Sequence, residues 1–330
     1  MSSDVRSPVA WWRDPRVIAG AVVAVVVLVV VIGFVLSRGG DEEAAPTTTS
    51  TTPPTTAAPT TTTILDTFEL PAELVSRFPD GSSAGVAPDA QLDEIEPTDG
   101  DVLKVTEDLD GVMFRGEEVE VAADGVTISN SYIVVTSLNS AVWNREGFAD
   151  TTIENSTIVC EPPDGQDPGA AGVTGVATIV GNDISGCADG IKAGDGAVIE
   201  GNYIHDLGFG PDTHNDGIQI QAGENITITG NTIVTFTDDP ETKQANAGVF
   251  AQSESGPIDN LVVSDNYVDG FGFSLRFNGD DVRNSKMTGN IIGPGAYWGA
   301  LLVADGAEQA ANNNVWRAEN ETTDGEVIEG

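Results

Sequence analysis

The sequence predicts an all-β fold, a parallel β-helix of about eight to nine stacked coils, preceded by one transmembrane helix and a disordered stalk rich in Thr and Pro. Three observations support this prediction. An uncharged apolar run lies close to the N-terminus, a low-complexity segment of Thr and Pro follows it, and from about residue 100 a six-residue motif recurs at steps of 20–35 residues.

The apolar run Val17–Leu36 contains 20 residues and no charge. This length spans a hydrocarbon core as a helix, so we expect a transmembrane helix over residues 17–37. Arg13 and Arg16 precede the run and an acidic stretch follows it, which predicts a cytoplasmic tail at residues 1–16 and an extracellular main part. A cleaved signal peptide is the alternative, but its apolar region is normally shorter. The expected protein is single-pass in the cell membrane, with the lipid bilayer as a partner.

Residues 38–64 have the composition of a solvated stalk. The segment Pro46–Thr63 contains eleven Thr and four Pro among eighteen residues, and such a composition cannot bury a hydrophobic core. We expect a disordered, extended spacer.

The repeated motif lies within residues 100–316, the predicted β-helix. It consists of an apolar residue, two small or polar residues, Asn or Ser, a variable residue, and Ile or Val. Its seven copies are ISNSYI (128–133), IENSTI (153–158), IVGNDI (179–184), IEGNYI (199–204), ITGNTI (228–233), VSDNYV (263–268) and MTGNII (287–292). Short strands at this period bury their inward residues only by stacking coil on coil. A leucine-rich repeat has a similar period, but Leu is scarce here and Asn turns are frequent.

The fourth position of the motif predicts a ladder of side chains. The Gly-Asn and Asp-Asn steps supply the positive φ that a sharp turn needs. Asn at the same turn of successive coils is expected to form a hydrogen-bonded ladder. Its members are Asn182, Asn202, Asn231, Asn266 and Asn290.

The ends of such a stack need covers, because they expose unpaired strands. Residues 65–99 form a linker, in which Leu65–Phe78 has apolar residues at near-helical spacing and is expected to cover the first coil. At the other end Trp316 is expected to close the last coil, with residues 317–330 as a tail.

A second row of strands runs beside the first, beginning at positions 190, 217, 248, 272 and 299. Strand alternation predicts the inward side chains Ile191, Ile218, Ile220, Val249, Ala251, Phe273 and Leu275. It predicts the outward side chains Lys192, Gln219, Gln221, Phe250, Gln252, Ser274 and Arg276. Gln, Phe and Arg at regular spacing suit stacking on sugars and hydrogen bonding to them. Lys192, Gln219, Gln221, Phe250 and Gln252 are therefore the candidate substrate-binding residues.

The repeat resembles a known group of proteins. The unit N-[IV]-T-I-x-G-N-x-I and the Asp-Gly-Ile strands look like secreted right-handed parallel β-helix proteins of the pectate-lyase-like class. The resemblance covers about two-thirds of the chain. It implies a right-handed helix and says little about activity, because the motif describes core and turns.

The chain contains two Cys, Cys160 and Cys187. They fall at nearly the same point of successive coils, where Cα atoms approach to about 5 Å, within the range that a disulfide bridges. An extracellular location permits oxidation. We expect a disulfide, and the alternative is two small apolar residues that fill a coil interior.

Both His residues of the chain lie in one predicted loop, within residues 205–219. The loop opens onto the outward stripe, and Asp216 begins an Asp-Gly-Ile strand that copies the strand at Asp189 one coil earlier. In a catalytic site His214 is the expected acid or base. Asp189 and Asp216 are the expected partners in acid/base chemistry, and Arg276 the expected substrate clamp.

The same carboxylates have two other interpretations. Asp189 and Asp216 stacked on each other, with Asp212 nearby, offer hard oxygen ligands for Ca²⁺. Alternatively, each Asp-Gly step forms a turn in which the Asp side chain caps backbone amides.

Short segments also resemble motifs of β-helix enzymes. Residues 212–216, Asp-Thr-His-Asn-Asp, are similar to the Asp-Pro-His-Asp motif of alginate C5-epimerases, without the Pro and with an inserted Asn. Residues 215–217 resemble the Asp-Gly-Ile strand of polygalacturonases, whose Gly-His-Gly and Arg-Ile-Lys signatures are absent. Pectate-lyase-like lyases use Ca²⁺ and an Arg or Lys base, for which the stripe offers Arg276 and Lys192.

Charge narrows the range of ligands. The chain has 14 basic and 52 acidic residues, and the part after residue 40 has 10 basic and 50 acidic residues, a net charge of −40. Such a surface repels nucleic acid. It also repels a polyuronate unless Ca²⁺ or salt screens the charge, which favours a neutral or Ca²⁺-bridged glycan, or no polysaccharide.

The hypothesis from the sequence is a membrane-anchored extracellular β-helix surface protein that interacts with cell-surface or environmental glycans or has a structural role. The alternative is a carbohydrate-active enzyme, a polysaccharide lyase, epimerase or hydrolase that uses the His214/Asp216 loop. A purely architectural spacer is the third possibility.

Overall fold

A computed structural model describes residues 68–211, 213–236, 245–303 and 316–328. The predicted cytoplasmic tail (1–16), transmembrane helix (17–37) and stalk (38–64) lie outside these residues. Among the described residues, no helix has the length and apolarity that a membrane crossing requires.

The described residues form an all-β parallel β-helix, which confirms the predicted fold class. Sheet A contains β1 Asp93–Ile95, β4 Val112–Gly116, β7 Tyr132–Val135, β10 Thr157–Cys160, β13 Asp183–Ser185, β16 Tyr203–His205, β20 Thr232–Val234, β24 Tyr267–Asp269, β28 Ile291–Ile292 and β31 Glu321–Thr322. Sheet B contains β2 Val102–Val105, β5 Glu118–Val121, β8 Val142–Trp143, β11 Ala171–Thr174, β14 Asp189–Lys192, β17 Asp216–Ile220, β21 Ala247–Gln252, β25 Phe273–Asn278 and β29 Gly299–Val303. Sheet C contains β3 Leu109–Asp110, β6 Thr127–Ser129, β9 Thr152–Glu154, β12 Thr178–Val180, β15 Val198–Glu200, β19 Thr227–Thr229, β23 Val262–Ser264, β27 Lys286–Thr288 and β30 Trp316–Ala318. The small sheet D contains β18 Gly223–Glu224, β22 Ile258–Asp259 and β26 Val282–Arg283.

Each of the nine coils in the described part of the chain passes through sheet B, sheet C and sheet A in that order. The repeated motif spans the turn from sheet C to sheet A. Its two apolar positions therefore form two inward columns, in which equivalent residues pair in register between coils. Burying one such Ile side chain contributes about 1.5–3 kcal/mol relative to exposing it. The columns are Ile128, Ile153, Ile179, Ile199, Ile228, Val263 and Met287 in sheet C, and Ile133, Ile158, Ile184, Ile204, Ile233, Val268 and Ile292 in sheet A.

The predicted Asn ladder is confirmed and is longer than expected. The Asn202 Nδ2 atom donates to Asn231 Oδ1 at 2.9 Å and to the Ile179 carbonyl at 2.9 Å. The Asn202 Oδ1 atom accepts from the backbone N–H of Asn182 at 2.9 Å. The pattern repeats through Asn266 and Asn290 and reaches Asn320. Each buried amide thus hydrogen-bonds to backbone groups at the turn from sheet C to sheet A, which have no partner in the strand pairing.

Both ends of the β-helix extend beyond residues 100–316. Strand β1 begins at Asp93 and pairs with β4, and β30 and β31 carry the stack to Thr322. The predicted tail therefore includes strand residues. A bridge between Glu321 and Val327 turns the chain back, and Ile328 packs against the core. The side chain of Trp316 lies outside the described part, so its predicted role as a cover stays a prediction.

The segment before β1 does not cover the first coil, and that prediction is wrong. Residues 68–91, here called the strap, contain no helix and lie along the outer side of sheet A. Leu74 and Phe78 are buried against outward aromatic residues such as Tyr203 and Tyr267. The apolar spacing that suggested a helical cover instead matches an apolar patch on the side of the later coils.

Hydrogen bonds hold the strap to several coils in turn. The Thr232 hydroxyl donates to the Pro79 carbonyl at 2.5 Å, and the Gly85 N–H donates to the Gly181 carbonyl at 2.8 Å. The Val86 N–H donates to Thr157 Oγ1 at 3.1 Å. Gly85 has φ +78° and lies where a Cβ would overlap Thr157, so a larger residue does not fit. The strap therefore runs from the later coils back towards the first.

The predicted disulfide is confirmed. Cys160 is the last residue of β10, Cys187 lies two residues after the paired strand β13, and their Cα atoms are 4.9 Å apart. The bond joins adjacent coils at the turn from sheet A to sheet B, called the A–B turn below. The A–B turn of the following coil carries His214.

Replacing Asn202 by Ala is expected to lower the free energy of unfolding by about 2–4 kcal/mol, because it leaves buried donors and acceptors of two neighbouring coils unpaired. Urea denaturation followed by circular dichroism measures the change. Asn202→Ser is the matched variant, since Ser156 occupies the ladder position two coils earlier and accepts from the Ser131 N–H; it should lose less. Equal stability of Asn202→Ala and the parent would contradict the role of the ladder.

Candidate functional site

One side chain per coil projects outward from the middle of sheet B. Register places these residues in a single column at a spacing of about 4.8 Å. The column is Lys104, Glu120, Trp143, Thr174, Lys192, Gln219, Phe250, Arg276 and Leu302. The structure thus brings four of the sequence-predicted residues, Lys192, Gln219, Phe250 and Arg276, into one line.

Two neighbouring residues of β25 have orientations opposite to those predicted. Phe273 pairs with Ala247, in the outward row of Asp216, and the residue is partly exposed. Ser274 is fully buried at the bend that Gly248 occupies one coil earlier. The predicted inward Phe273 and outward Ser274 are therefore wrong. The bend breaks the strict alternation of the strand, and the sequence pattern did not include it.

A cleft of about 410 Å³ lies beside the column. Asp189, His214 and Gln219 line it from sheet B and the A–B turn, and Asp167 and Pro168 line the opposite wall. The wall is part of the A–B turn that starts at Cys160. The longest described A–B turns therefore enclose the surface that carries the candidate residues.

His214 and Asp216 are in direct contact in this cleft. The His214 Nδ1 atom lies 3.0 Å from Asp216 Oδ2, and the His214 side chain is 57% exposed. Asn215, between them, has φ +57° and donates from Nδ2 to the Ala188 carbonyl at 3.0 Å. This left-handed turn places two side chains that are two residues apart on the same side of the chain.

The Asp216 carboxylate is completely buried, yet both of its oxygens have partners. Oδ1 accepts from Asn246 Nδ2 at 2.6 Å and from the Ala247 N–H at 3.2 Å. Oδ2 faces His214 and accepts from Gln219 Nε2 at 3.3 Å. Burial raises the pKa of Asp216 to about 6, although the hydrogen bond with His214 lowers it.

The contact also changes the pKa of the His214 imidazole. The hydrogen bond with Asp216 raises the pKa of His214 above its ordinary value, and partial burial and the charge of Arg276 oppose the rise. Because Asp216 occupies Nδ1, the ring has its Nε2 atom left for the cleft. The pair is therefore arranged to exchange a proton at Nε2.

Asn246 connects the pair to Arg276, and the sequence reasoning missed it. Its Oδ1 atom accepts from Arg276 Nη1 at 2.7 Å, and its Nδ2 atom donates to Asp216. The segment Asn-Ala-Gly-Val at 246–249 copies Asn-Asp-Gly-Ile at 215–218 one coil earlier. That repeat is the sequence signal from which Asn246 could have been found.

Phe250 supports the other groups and does not offer a free ring. It points outward but is 3% exposed, because His214 and Arg276 cover it. The Arg276 Cζ atom lies 4.8 Å from the Phe250 centroid, and the His214 centroid lies 5.5 Å from it. The guanidinium is held by a cation–π contact on one side and by Asn246 on the other.

The other predicted residues divide into two groups. Lys192 Nζ lies 3.2 Å from Asp189 Oδ2, at the cleft. Gln221 also lines the cleft, and its Nε2 atom donates to Glu254 at 3.4 Å. Gln252 donates to Glu254 at 2.5 Å and borders a neighbouring depression instead.

His205 has no part in the cleft. It lies on β16 in sheet A, with Asp183 and Asp206 each 2.8 Å from one ring nitrogen and with Tyr203 stacked on the ring. Burial lowers its pKa, but the hydrogen bonds with both carboxylates outweigh this and raise the pKa to about 9. His205 is therefore a charged residue that bridges two carboxylates beside the strap. The two His residues of the predicted loop thus lie at different sites, His205 on sheet A and His214 at the cleft.

The predicted Ca²⁺ site at Asp189, Asp212 and Asp216 stays a prediction. Asp189 Oδ1 accepts from the Asp216 N–H at 2.8 Å, which is the backbone-capping role that an Asp-Gly turn predicts. Among the described residues no three His, Cys, Asp or Glu side chains are grouped to hold a metal ion. The third predicted ligand, Asp212, lies outside them.

Comparison with known proteins identifies the repeat and no relative with an assigned role. A family model described as "Right handed beta helix region" matches residues 111–322. No curated protein and no solved structure matches the chain.

Two imidazole Hε1 resonances are expected in an NMR pH titration, because the chain contains two His residues. One should titrate near pH 9 and belong to His205, and the other should titrate above 6.5 and belong to His214. Asp216→Asn removes the acceptor of the His214 hydrogen bond and should lower the pKa of His214 only. The His205 resonance is the internal control, and an unchanged His214 pKa in Asp216→Asn would refute the pair.

Proposed function

The chain belongs to the family of right-handed β-helix regions, and on this premise we propose that it is a membrane-anchored extracellular protein whose sheet B binds glycans. The observation that carries the proposal is the outward column of sheet B beside the cleft. It places the Gln219 amide and the Lys192 and Arg276 cations on neighbouring coils, with the exposed His214 imidazole beside them, and such groups bind sugar hydroxyls. The resemblance to the pectate-lyase-like class supports a carbohydrate ligand.

The proposed location rests on the N-terminal part of the sequence and on the disulfide. The apolar run Val17–Leu36 has the length and flanking charges of an anchor, and the Thr/Pro segment after it suits a spacer. Cys160–Cys187 is a bond that persists in oxidising, extracellular surroundings.

The expected glycan is uncharged, or its charge is screened by Ca²⁺ or salt. The part of the chain after residue 40 has a net charge of −40, so an unscreened polyanion approaches against the field of the protein. The local cations do not reverse this, because Asp189 neutralises Lys192.

A second candidate function is catalysis on the bound glycan, and the contact between His214 and Asp216 favours it. Asp216 holds Nδ1, so protonated His214 acts as an acid through Nε2 and neutral His214 as a base. Arg276, held by Asn246 and Phe250, would position the substrate. Reactions of this class are those of polysaccharide lyases, epimerases and hydrolases.

Glycan binding is tested on an array of neutral and anionic oligosaccharides, with Ca²⁺ and with a chelator. Neutral glycans should bind the parent, and Arg276→Ala should weaken binding about tenfold or more, since hydrogen bonds from a charged group contribute about 1.5–3 kcal/mol. Arg115→Ala is the matched control, because Arg115 is an exposed Arg on sheet A. Absence of any bound glycan, or equal loss in both variants, would count against the proposal.

Catalysis is tested by product analysis of each glycan that binds. His214→Ala should lower the rate about 100-fold or more, the size of a general acid/base effect, while binding of the glycan persists. If neutral His214 is the base, the parent rate rises with pH through the raised pKa of His214. Products formed equally by His214→Ala would exclude His214 from the chemistry.

A further inference from the structure

We propose that the ligand-binding surface of sheet B continues to an aromatic subsite at Trp298, and that its ligand is an uncharged oligosaccharide long enough to extend from His214 to Trp298. The inference rests on the proposed glycan binding and adds the length and charge of the glycan.

A continuous series of ring contacts connects the two ends. Beyond His214 and Phe250, the Arg276 Cζ atom lies 4.8 Å from the Phe250 centroid and 5.7 Å from the Phe273 centroid. The Phe273 and Trp298 centroids are 5.6 Å apart. Within the described residues the series leads from His214 to Arg276, Phe273 and Trp298, so a ligand that touches the cleft can remain in contact with these side chains up to Trp298.

Trp298 is held so that part of its indole is open to solvent. The ring lies directly against Gly272, where a Cβ would overlap it, and the backbone N–H of Trp298 donates to the Gly272 carbonyl at 2.7 Å. The residue nevertheless remains 50% exposed. A fixed indole with an open surface stacks on a sugar ring without losing side-chain freedom on binding.

Register gives the length of the surface. Asp216 aligns with Ala247, Ala247 with Phe273, and Phe273 with Gly299, which follows Trp298. Three coil steps of about 4.8 Å correspond to about 14 Å along the helix axis. This is longer than one sugar ring, so the ligand that uses both ends is an oligosaccharide.

The charges along this path favour an uncharged ligand. Between His214 and Trp298, Arg276 is the one Arg or Lys side chain of the contact series in the described residues, and its Nη1 atom already donates to Asn246. Asp216 and the buried Asp269, which accepts from the Gly295 N–H near the far end, carry the opposite sign. An anionic chain would approach against the field of these buried carboxylates and against the net negative charge of the chain after residue 40.

The test measures binding of neutral oligosaccharides of glucose, xylose and mannose, each as the disaccharide and the hexasaccharide, by titration calorimetry with the full chain in detergent. For the series that binds, Trp298→Ala should weaken the hexasaccharide about 5- to 10-fold, the range of one aromatic contact. It should leave the disaccharide in the His214 cleft unchanged. Trp298→Tyr should restore hexasaccharide binding.

Two controls separate the possible outcomes. Phe236→Ala removes an exposed aromatic ring outside the contact series and should change neither affinity, and circular dichroism checks that each variant is folded. Hexasaccharide binding that is equal in the parent and in Trp298→Ala would overturn the subsite while leaving glycan binding intact. A parent that binds none of the oligosaccharides would overturn the proposed function and the subsite together.

Discussion

The architecture of this β-helix depends on one constraint, the in-register pairing of each coil with the next. Pairing puts equivalent residues of neighbouring coils about 4.8 Å apart, so a buried residue must be compatible with its own copies above and below. Ile meets this requirement because it packs on the Ile of the neighbouring coil, and Asn meets it because its side-chain amide donates to the next Asn. The same constraint acts outside, where it makes a column of sheet B from residues that are 16 or more positions apart in sequence.

The candidate site lies where this regularity is interrupted. Asp189 and Asp216 occupy the same position in two successive coils. The next coil has Ala247 there, and the amide of the neighbouring Asn246 donates to Asp216. A buried carboxylate at Asp216 is tolerable because backbone and side-chain donors meet both oxygens. The resulting line of His214, Asp216, Asn246 and Arg276 crosses three coils and depends on each of them for its geometry.

Most of the fold could be predicted from the sequence, because the repeat indicates the core residues, the turn residues and the coil spacing together. The Asn ladder and the Cys160–Cys187 bond followed from knowing which residues occupy the same point of successive coils. The features that escaped prediction do not repeat. The strap pairs apolar residues with the outer side of sheet A, Phe273 and Ser274 change places at a bend, and Asn246 acts through neighbours on other coils. Within the site, the residue types were predictable from the sequence, but which of them touch depended on the left-handed turn at Asn215.

The strap also bears on how such a protein can change during evolution. A stack of coils can in principle gain or lose a repeat by duplication or deletion, since each coil contacts only its neighbours. Here a single segment bonds to coils that include Thr157, Gly181 and Thr232. Inserting a coil between these attachment points would shift one of them by about 4.8 Å, more than a hydrogen bond tolerates. The strap therefore fixes the number of coils in this stretch, and variation in length is confined to the turns and the two ends.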